Sequence, residues 1–132
     1  MSKSVIYMAN TDTQSVAVDG NINFGSPIRR YGKDISNVVG NPVLNTAGYY
    51  DVAVNVEFAD TGAGTSTIAL YADGAQVPGA LAKTTTGTAS TVHSVDFNAV
   101  VRVPCCKPVA LTVKATGVAI NVQNATITVI KL

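Results

Sequence analysis

The sequence predicts an all-β protein, folded as a two-sheet antiparallel sandwich of about eight to ten strands. Composition is the first observation, because 20 Val, 8 Ile and 15 Thr occur among 132 residues whereas Glu occurs once. β-Branched side chains pack well on a pleated surface and lose rotamers in a helix. The second observation is an alternation of apolar and polar residues in nearly every segment. The third is a turn signal about every 8–12 residues, a spacing typical of sandwiches.

The clearest alternation lies in the C-terminal two thirds of the chain. Residues 52–58 and 91–103 place apolar side chains on one face and polar or small ones on the other. Asp73-Gly74 tolerates positive φ and predicts a tight hairpin turn, whose second arm contains Pro78. Because proline cannot donate to a ladder, that arm is expected at a sheet edge. Further strands are predicted at 68–72, 76–78, 109–113, 118–122 and 125–132.

The first 47 residues are less regular. Weaker strands are predicted at 4–8, 14–18, 21–24, 38–39 and 43–45. Asp19-Gly20 is a further turn signal, and Gly and Pro punctuate the rest. No linker, low-complexity tract or internal repeat divides the chain. The sequence therefore predicts a single domain over residues 1–132, with 1–47 as its less certain strands and loops.

Charge and hydropathy exclude two classes of partner. Nine Lys and Arg against eight Asp and Glu give a net charge of +1, and only 13% of residues are charged. This is not the basic footprint of a nucleic-acid-binding protein. No run approaches the roughly 20 apolar residues that span a bilayer, and the N-terminal apolar run is too short for a signal peptide. We expect no nucleic acid, no membrane insertion, and a chain that leaves the cytosol by lysis or assembly.

The two cysteines, Cys105 and Cys106, are adjacent, and neighbouring cysteines do not close a relaxed disulfide. His93 is the only histidine, so one chain lacks the ligands of a zinc site. Two interpretations remain: a turn between Pro104 and Pro108, or a site shared between subunits. The turn is favoured, and we expect no metal and no cofactor.

Enzyme signatures are missing, because the sequence contains no nucleophile motif, phosphate loop or matched pair of carboxylates. We therefore predict that the protein is not an enzyme. Asp51 and Asp60 bracket a predicted strand and are interpreted as its solvated ends. The spacing of Asp34 from other carboxylates does not indicate a calcium site. His93 has the inward parity of its strand and is interpreted as a structural histidine at the rim.

Two clusters are candidates for contact with a partner. Arg29, Arg30 and Tyr31 either contact a partner carboxylate or glycan or lie in a solvated loop. Tyr49 and Tyr50 either form a subunit contact or simply begin a strand. Alternation sends one of these two tyrosines inward and the other outward.

A third candidate is a threonine cluster. Thr84, Thr85 and Thr86 belong to a predicted polar loop over residues 83–91. Such loops carry recognition in sandwich proteins, although loops are polar in any case.

Three motifs in residues 48–132 carry a family resemblance. Gly-Tyr-Tyr-Asp-Val-Ala-Val-Asn-Val at 48–56 joins a Gly-x-Tyr opening to alternating apolar residues. Ile-Ala-Leu-Tyr-Ala-Asp-Gly-Ala-Gln-Val-Pro-Gly at 68–79 combines an Asp-Gly turn with a Val-Pro-Gly ending, and 124–132 is a β-rich final strand. Together they resemble the globular heads of the complement and tumour-necrosis-factor-like superfamily. The last motif is similar to its bacterial and phage branch, which includes collagen-like spore-surface glycoproteins.

The resemblance implies a ten-stranded jelly roll that assembles as a compact homotrimer and carries no catalytic residues. It implies a structural protein of a phage or phage-like particle, a capsid decoration or fibre-head module on the virion surface, with a capsid or tail protein as partner. The sequence has no collagen-like Gly-x-y stalk, which favours the particle over a spore. Two alternatives stay open: an adhesin or receptor-binding module for a host glycan or protein, and a bacterial spore or cell-surface protein.

Overall fold

The computed structural model describes residues 3–87, 91–104 and 107–132. Within these ranges it contains twelve strands: β1 (Val5–Asn10), β2 (Gln14–Val16), β3 (Gly20–Asn21), β4 (Ser26–Tyr31), β5 (Ile35–Val38), β6 (Asn41–Leu44), β7 (Gly48–Asp60), β8 (Gly64–Ala72), β9 (Ala75–Thr86), β10 (Val92–Val103), β11 (Val109–Thr116) and β12 (Ile120–Lys131). No helix in the described ranges is long and apolar enough to cross a membrane.

The strands form two antiparallel sheets, which confirms the predicted sandwich. Sheet I has the order β10-β7-β12-β1-β4, and β2 also pairs with β12. Sheet II has the order β5-β6-β11-β8-β9, and β3 also pairs with β11. The chain passes repeatedly between the sheets, since β7, β10 and β12 lie in sheet I whereas the β8–β9 hairpin and β11 lie in sheet II. The two main paths hold ten strands, the number that the resemblance implies, and β2 and β3 are short additions.

The core lies between the sheets, where alternate residues of each long strand meet. From β7, Val52, Val54, Val56 and Phe58 are at most 2% exposed. From β11, Leu111 and Val113 close the core on the opposite side and are fully buried. Burying one such side chain stabilises the fold by about 1.5–3 kcal/mol relative to leaving it exposed. The predicted alternation in 52–58 and 91–103 is confirmed.

The C-terminal strand differs from the prediction. Residues 118–122 and 125–132 were expected to be two strands, but β12 runs unbroken from Ile120 to Lys131. Its register against β7 shifts between Val122 and Asn124, so Gln123 is a bulge residue. A bulge reverses which residues of a strand face inward. The alternation of apolar residues therefore shifts by one position at Gln123, and in the sequence this shift looks like a boundary between two strands.

Two segments expected as loops are strands. Arg29, Arg30 and Tyr31 lie in β4, an edge strand of sheet I with five of its six residues exposed. Thr84, Thr85 and Thr86 lie in β9 and pair with β8, so the predicted polar loop over 83–91 is wrong as far as Thr86. Both are edge strands, and an exposed edge lacks the alternation that burial imposes.

The predicted hairpin turn and sheet edge are both confirmed. Asp73 and Gly74 connect β8 to β9 with φ of 50° and 84°, values expected of a tight hairpin turn. Pro78 lies in β9, at the edge of sheet II. The expected turn containing Cys105 and Cys106 lies outside the described residues.

Candidate interaction surface

The outward face of sheet I is the candidate site, because strand register collects its side chains into rows that cross the sheet. In an antiparallel pair, directly opposed residues point to the same side. Val100 is opposite Asp51, Asp51 is opposite Ile130, Ile130 is opposite Val5, and Val5 is opposite Tyr31. One row therefore spans all five strands of the main path.

Four of these five side chains form what we call the apolar strip: Val5, Tyr31, Val100 and Ile130. Tyr31 is 70% exposed, Val100 58% and Ile130 40%. Tyr49 lies beside the strip, opposite Arg102, and is 54% exposed. Apolar side chains aligned in a row on one face are characteristic of an interaction surface, whereas scattered exposed ones are ordinary.

Asp51 is the one charged member of the row. It is half-buried between Val100 and Ile130. Its carboxylate forms no hydrogen bond or ion pair with any of the described residues. Arg102 lies diagonally across the β7–β10 pair, opposite Tyr49, and forms no ion pair with Asp51. The strip thus contains a carboxylate that forms no hydrogen bond or ion pair with the described residues of its own copy.

Next to the strip, farther along the strands, the face carries polar side chains around a depression. Ala53, Asn98, Thr126 and Thr128 help line a shallow depression of ≈ 270 Å³ on this face. The side chains at its centre are small, because Ala and Thr occupy neighbouring positions of β7 and β12. Asp96 also lines this depression, so the face offers a hydrophobic strip beside a polar hollow that contains one carboxylate, a mixture typical of protein–protein interfaces.

The outer face of sheet II differs in character. Its outward positions are mainly hydroxyl groups and lysines, among them Thr65, Thr67 and Thr112. The ammonium group of Lys114 lies over the ring of Tyr71, 5.1 Å from its centroid, in a cation–π contact. This face is hydrophilic, so the exposed apolar side chains that line up in one row lie on sheet I.

The first candidate cluster is divided between two orientations. Tyr31 belongs to the apolar strip, and Arg29 is opposite Tyr7, so both point outward. Arg30 is opposite buried Ile6, and its Nε donates to the backbone oxygen of Ile35 at 3.2 Å. Arg29 and Tyr31 therefore lie at the β4 edge of the candidate surface, which the solvated-loop interpretation did not foresee.

The two neighbouring tyrosines separate as alternation predicted. Tyr49 points outward, whereas Tyr50 is fully buried. The Tyr50 hydroxyl donates to the backbone oxygen of Thr46 at 2.8 Å. Tyr50 is therefore a core residue and has no surface to offer a partner, which corrects its place among the contact candidates.

The threonine cluster lies on the other sheet. Thr85 is exposed, with its hydroxyl 3.2 Å from that of Thr65, while Thr84 is opposite buried Ser66 and turns inward. Thr86 is opposite Gly64. The structure does not bring these residues together with Arg29, Tyr31 or Tyr49.

Within the described residues, Asp60, Ser66 and His93 lie close together in an arrangement that resembles a catalytic centre. Asp60 was expected to be solvated but is 1% exposed, and the Ser66 hydroxyl donates to its Oδ1 at 2.7 Å. His93 Nε2 lies 3.6 Å from Asp60 Oδ2, and the His93 ring packs against Phe58 at 5.6 Å. Ser66 is bound to the carboxylate and fully buried, so its hydroxyl is not a reachable nucleophile. His93 is opposite buried Phe58, which confirms its predicted inward parity.

A second carboxylate, that of Asp34, is also buried, which its sequence context did not predict. Asp34 is 6% exposed and accepts hydrogen bonds from Ser4 at 2.6 Å and Thr46 at 2.7 Å. Lys131 Nζ lies 3.5 Å from the same carboxylate. These four groups come from segments that are distant in the sequence, so no local motif predicts that they form one network. Within the described ranges, no three acidic, histidine or cysteine side chains cluster as metal ligands.

Solved structures of tumour-necrosis-factor and complement heads share this fold. The Eiger TNF of S. frugiperda matches with a TM-score of 0.70 and 14% identity, over 98% of this chain and 91% of that one. Murine APRIL at pH 5.0 matches with 0.70 and 15%, over 99% and 100%. The globular domain of zebrafish complement 1qA matches with 0.68 and 10%, over 99% and 97%. The expected resemblance to these heads is confirmed at the level of the fold.

No known family profile matches the sequence, and no curated protein matches it either. The similarity to solved structures therefore shows the architecture alone, and function depends on the chemistry of the surface.

Proposed function

We propose that the protein is a non-enzymatic head domain that associates as a homotrimer through the outward face of sheet I. The observation that carries this proposal is the apolar strip, which crosses the whole sheet on one face. The similarity of the fold to tumour-necrosis-factor and complement heads supports it. The family resemblance of residues 48–132 adds to that support, since it implies a homotrimer.

Exposed apolar area on this face favours association. Tyr31, Tyr49 and Val100 are each more than half exposed and stand on the same face. Covering apolar area contributes about 25 cal/mol per Å² removed from water. Three identical copies arranged about an axis cover such a face on every copy at once, because each copy presents the same surface.

The test is the mass in solution of the protein and of two matched variants. The parent chain is expected at three times 13.6 kDa. Val100→Lys places a charge in the strip and is expected to yield a folded monomer. Val38→Lys makes the same change at a side chain of nearly equal exposure, 56% against 58%, outside the strip. This control should remain trimeric with an unchanged circular dichroism spectrum.

A monomeric parent at high concentration would contradict the proposal. Equal dissociation of the Val38→Lys variant would also contradict it, because the effect would then not belong to the strip.

We further propose a place for this trimer on the surface of a phage or phage-like particle, as a capsid decoration or fibre-head module. The resemblance of residues 124–132 to the bacterial and phage branch supports this proposal. Particles purified on a density gradient from the strain that encodes the chain should contain it, bound to a capsid or tail protein. Recovery from the spore or cell-surface fraction instead would favour that alternative.

A receptor-binding role is the second candidate, and the outer face of sheet II favours it. Thr67, Lys114 and Tyr71 point away from the proposed trimer contact and stay accessible in the assembly. Hydroxyl groups and an aromatic ring beside a cation are suited to polar ligands such as glycans. Binding of the trimer to a glycan array, lost in Tyr71→Ala at unchanged mass, would establish this role.

A further inference from the structure

We infer that neighbouring copies join head to tail across sheet I, with the acidic side formed by β7 and β10 of one copy against the basic edge strand β4 of the next. This inference rests on the proposed self-association and specifies its contact. Charge is distributed unevenly over the face.

The acidic side lies at one end of the strand order. Asp96 is exposed on β10, and Asp51 and Glu57 are half-exposed on β7. These three carboxylates outnumber the one outward cation of the two strands, Arg102 on β10. All three alternate with core residues and point outward. Within the described part of the chain, the ion pairs are His93 with Asp60 and Lys131 with Asp34, so none of these three carboxylates is neutralised.

The basic edge lies at the other end. Arg29 and Arg30 are exposed on β4, and Lys33 follows it, also exposed. Both guanidinium groups hydrogen-bond only to backbone oxygens, of Ile28 for Arg29 and of Ile35 for Arg30. Guanidinium groups bind carboxylates in paired, directional hydrogen bonds, which are stronger than these contacts.

The two charged ends cannot meet within one copy. β12 and β1 separate β7 from β4. With neighbouring strands about 4.8 Å apart, three spacings place the two charged strands about 14 Å from each other. An antiparallel sheet fixes that separation, so neutralisation of the two ends requires a second molecule.

Asp51 is the carboxylate that most needs a cation from a second molecule. Its half-buried carboxylate stands between Val100 and Ile130 in the apolar strip. When a partner covers the strip, this carboxylate loses its water, and burying an unpaired charge is strongly unfavourable. Arg29 is the outward-facing cation of the opposite edge, one row from Tyr31. When the acidic side of one copy contacts the basic edge of the next, the contact buries the strip and at the same time brings this cation to Asp51.

The contact is directional, since it joins two different patches. A head-to-tail contact of this kind closes into a ring when the rotation between copies allows it. Each copy in the ring uses its acidic side once and its basic edge once, so the charges in every contact are matched.

Charge exchange tests the pairing. Asp51→Arg and Arg29→Asp alone should each raise the dissociation constant at least about tenfold, because like charges then oppose each other. The double variant should recover the parent's mass in solution. Asp12→Arg makes the same substitution at an exposed loop carboxylate and should leave the mass unchanged.

Mixing the two single variants tests the ring. In a pair related by twofold symmetry, one copy of each variant matches both contacts, so an equimolar mixture would recover fully. In a three-membered ring at least one contact joins two copies of the same variant, which opposes like charges. The mixture should therefore recover less than the double variant.

Each outcome is distinct. A monomeric parent overturns the proposed function itself. An associated parent whose double variant stays dissociated overturns the pairing alone, and recovery by Asp51→Arg with Arg102→Asp would assign Asp51 to Arg102. Full recovery of the mixture as a dimer overturns the ring.

Discussion

The buried carboxylate of Asp34 shows how single residues hold one end of the sandwich together. Ser4 donates to one carboxylate oxygen, and Thr46 donates to the other. The Ser4 hydroxyl also accepts the backbone N–H of Asp34 at 3.1 Å. A buried charge is tolerated only when its lone pairs are satisfied, so each donor in this network is needed.

Ser4→Ala should lower the free energy of unfolding by about 1–3 kcal/mol, since it leaves a buried carboxylate oxygen and a buried N–H without their partner. Denaturant unfolding measures the change. Ser15→Ala is the control, because the Ser15 hydroxyl bonds to Asn121 in a solvent-exposed position. That variant should stay within about 0.5 kcal/mol of the parent. Equal losses in both variants would remove the special role of the Asp34 network.

At the scale of elements, the β5–β6 hairpin carries local strain. Residue 39, expected in a weak strand, is in fact a turn residue: Val39 and Gly40 link the strands with φ of 48° and 79°. Glycine adopts positive φ freely, but a β-branched residue there is an outlier. Val39 is 82% exposed, so packing does not compensate for the strain.

Val39→Asn should therefore stabilise the protein by about 0.5–1 kcal/mol, because Asn-Gly is the preferred pair for this kind of turn. Thermal or denaturant unfolding measures the gain. Val38→Asn makes the same change one residue earlier, in β5, where a β-branched residue is favourable. It should give no gain, and a gain at both positions would attribute the effect to polarity instead of backbone strain.

How far the sequence predicts an element depends on its two faces. β7 and β10 alternate because one face is buried, so their existence and inward residues could be read directly. β4 has almost no buried face, and its strand character comes from pairing with β1, which no local pattern records. The bulge at Gln123 hid the continuity of β12 for a related reason, since it interrupts the period without ending the strand.

The candidate site was predictable only in part. Tyr31 and Tyr49 were named from their residue type, and both lie on or beside the apolar strip. Val5, Val100 and Ile130 belong to it equally, but their alignment depends on the register of four strand pairs. Register between distant strands is set by the folded sheet, so the strip becomes visible only in three dimensions.

At the scale of the whole molecule, the first strand β1 pairs with the last strand β12. Val5 is opposite Ile130, and the backbone N–H of Lys131 donates to the oxygen of Ser4 at 2.9 Å. β1 lies between β12 and β4, so sheet I is complete only after the last strand has joined the first. Such non-local pairing is characteristic of slow-folding β-proteins.

Because β1 and β12 are neighbours in sheet I, a circular permutant should fold. The original ends would be joined by a short Gly-Ser linker, and new ends opened between Asp73 and Gly74, both exposed in the β8–β9 turn. The cut keeps the pair of hydrogen bonds between Asp73 and Ala110, 2.9 Å each. A permutant opened between Asn55 and Val56 interrupts central strand β7 instead and should not fold. Cooperative denaturant unfolding with a β-type circular dichroism spectrum should be seen for the first permutant only. If the second permutant folded equally well, an unbroken β7 would not be required for folding, which would contradict its place at the centre of the core.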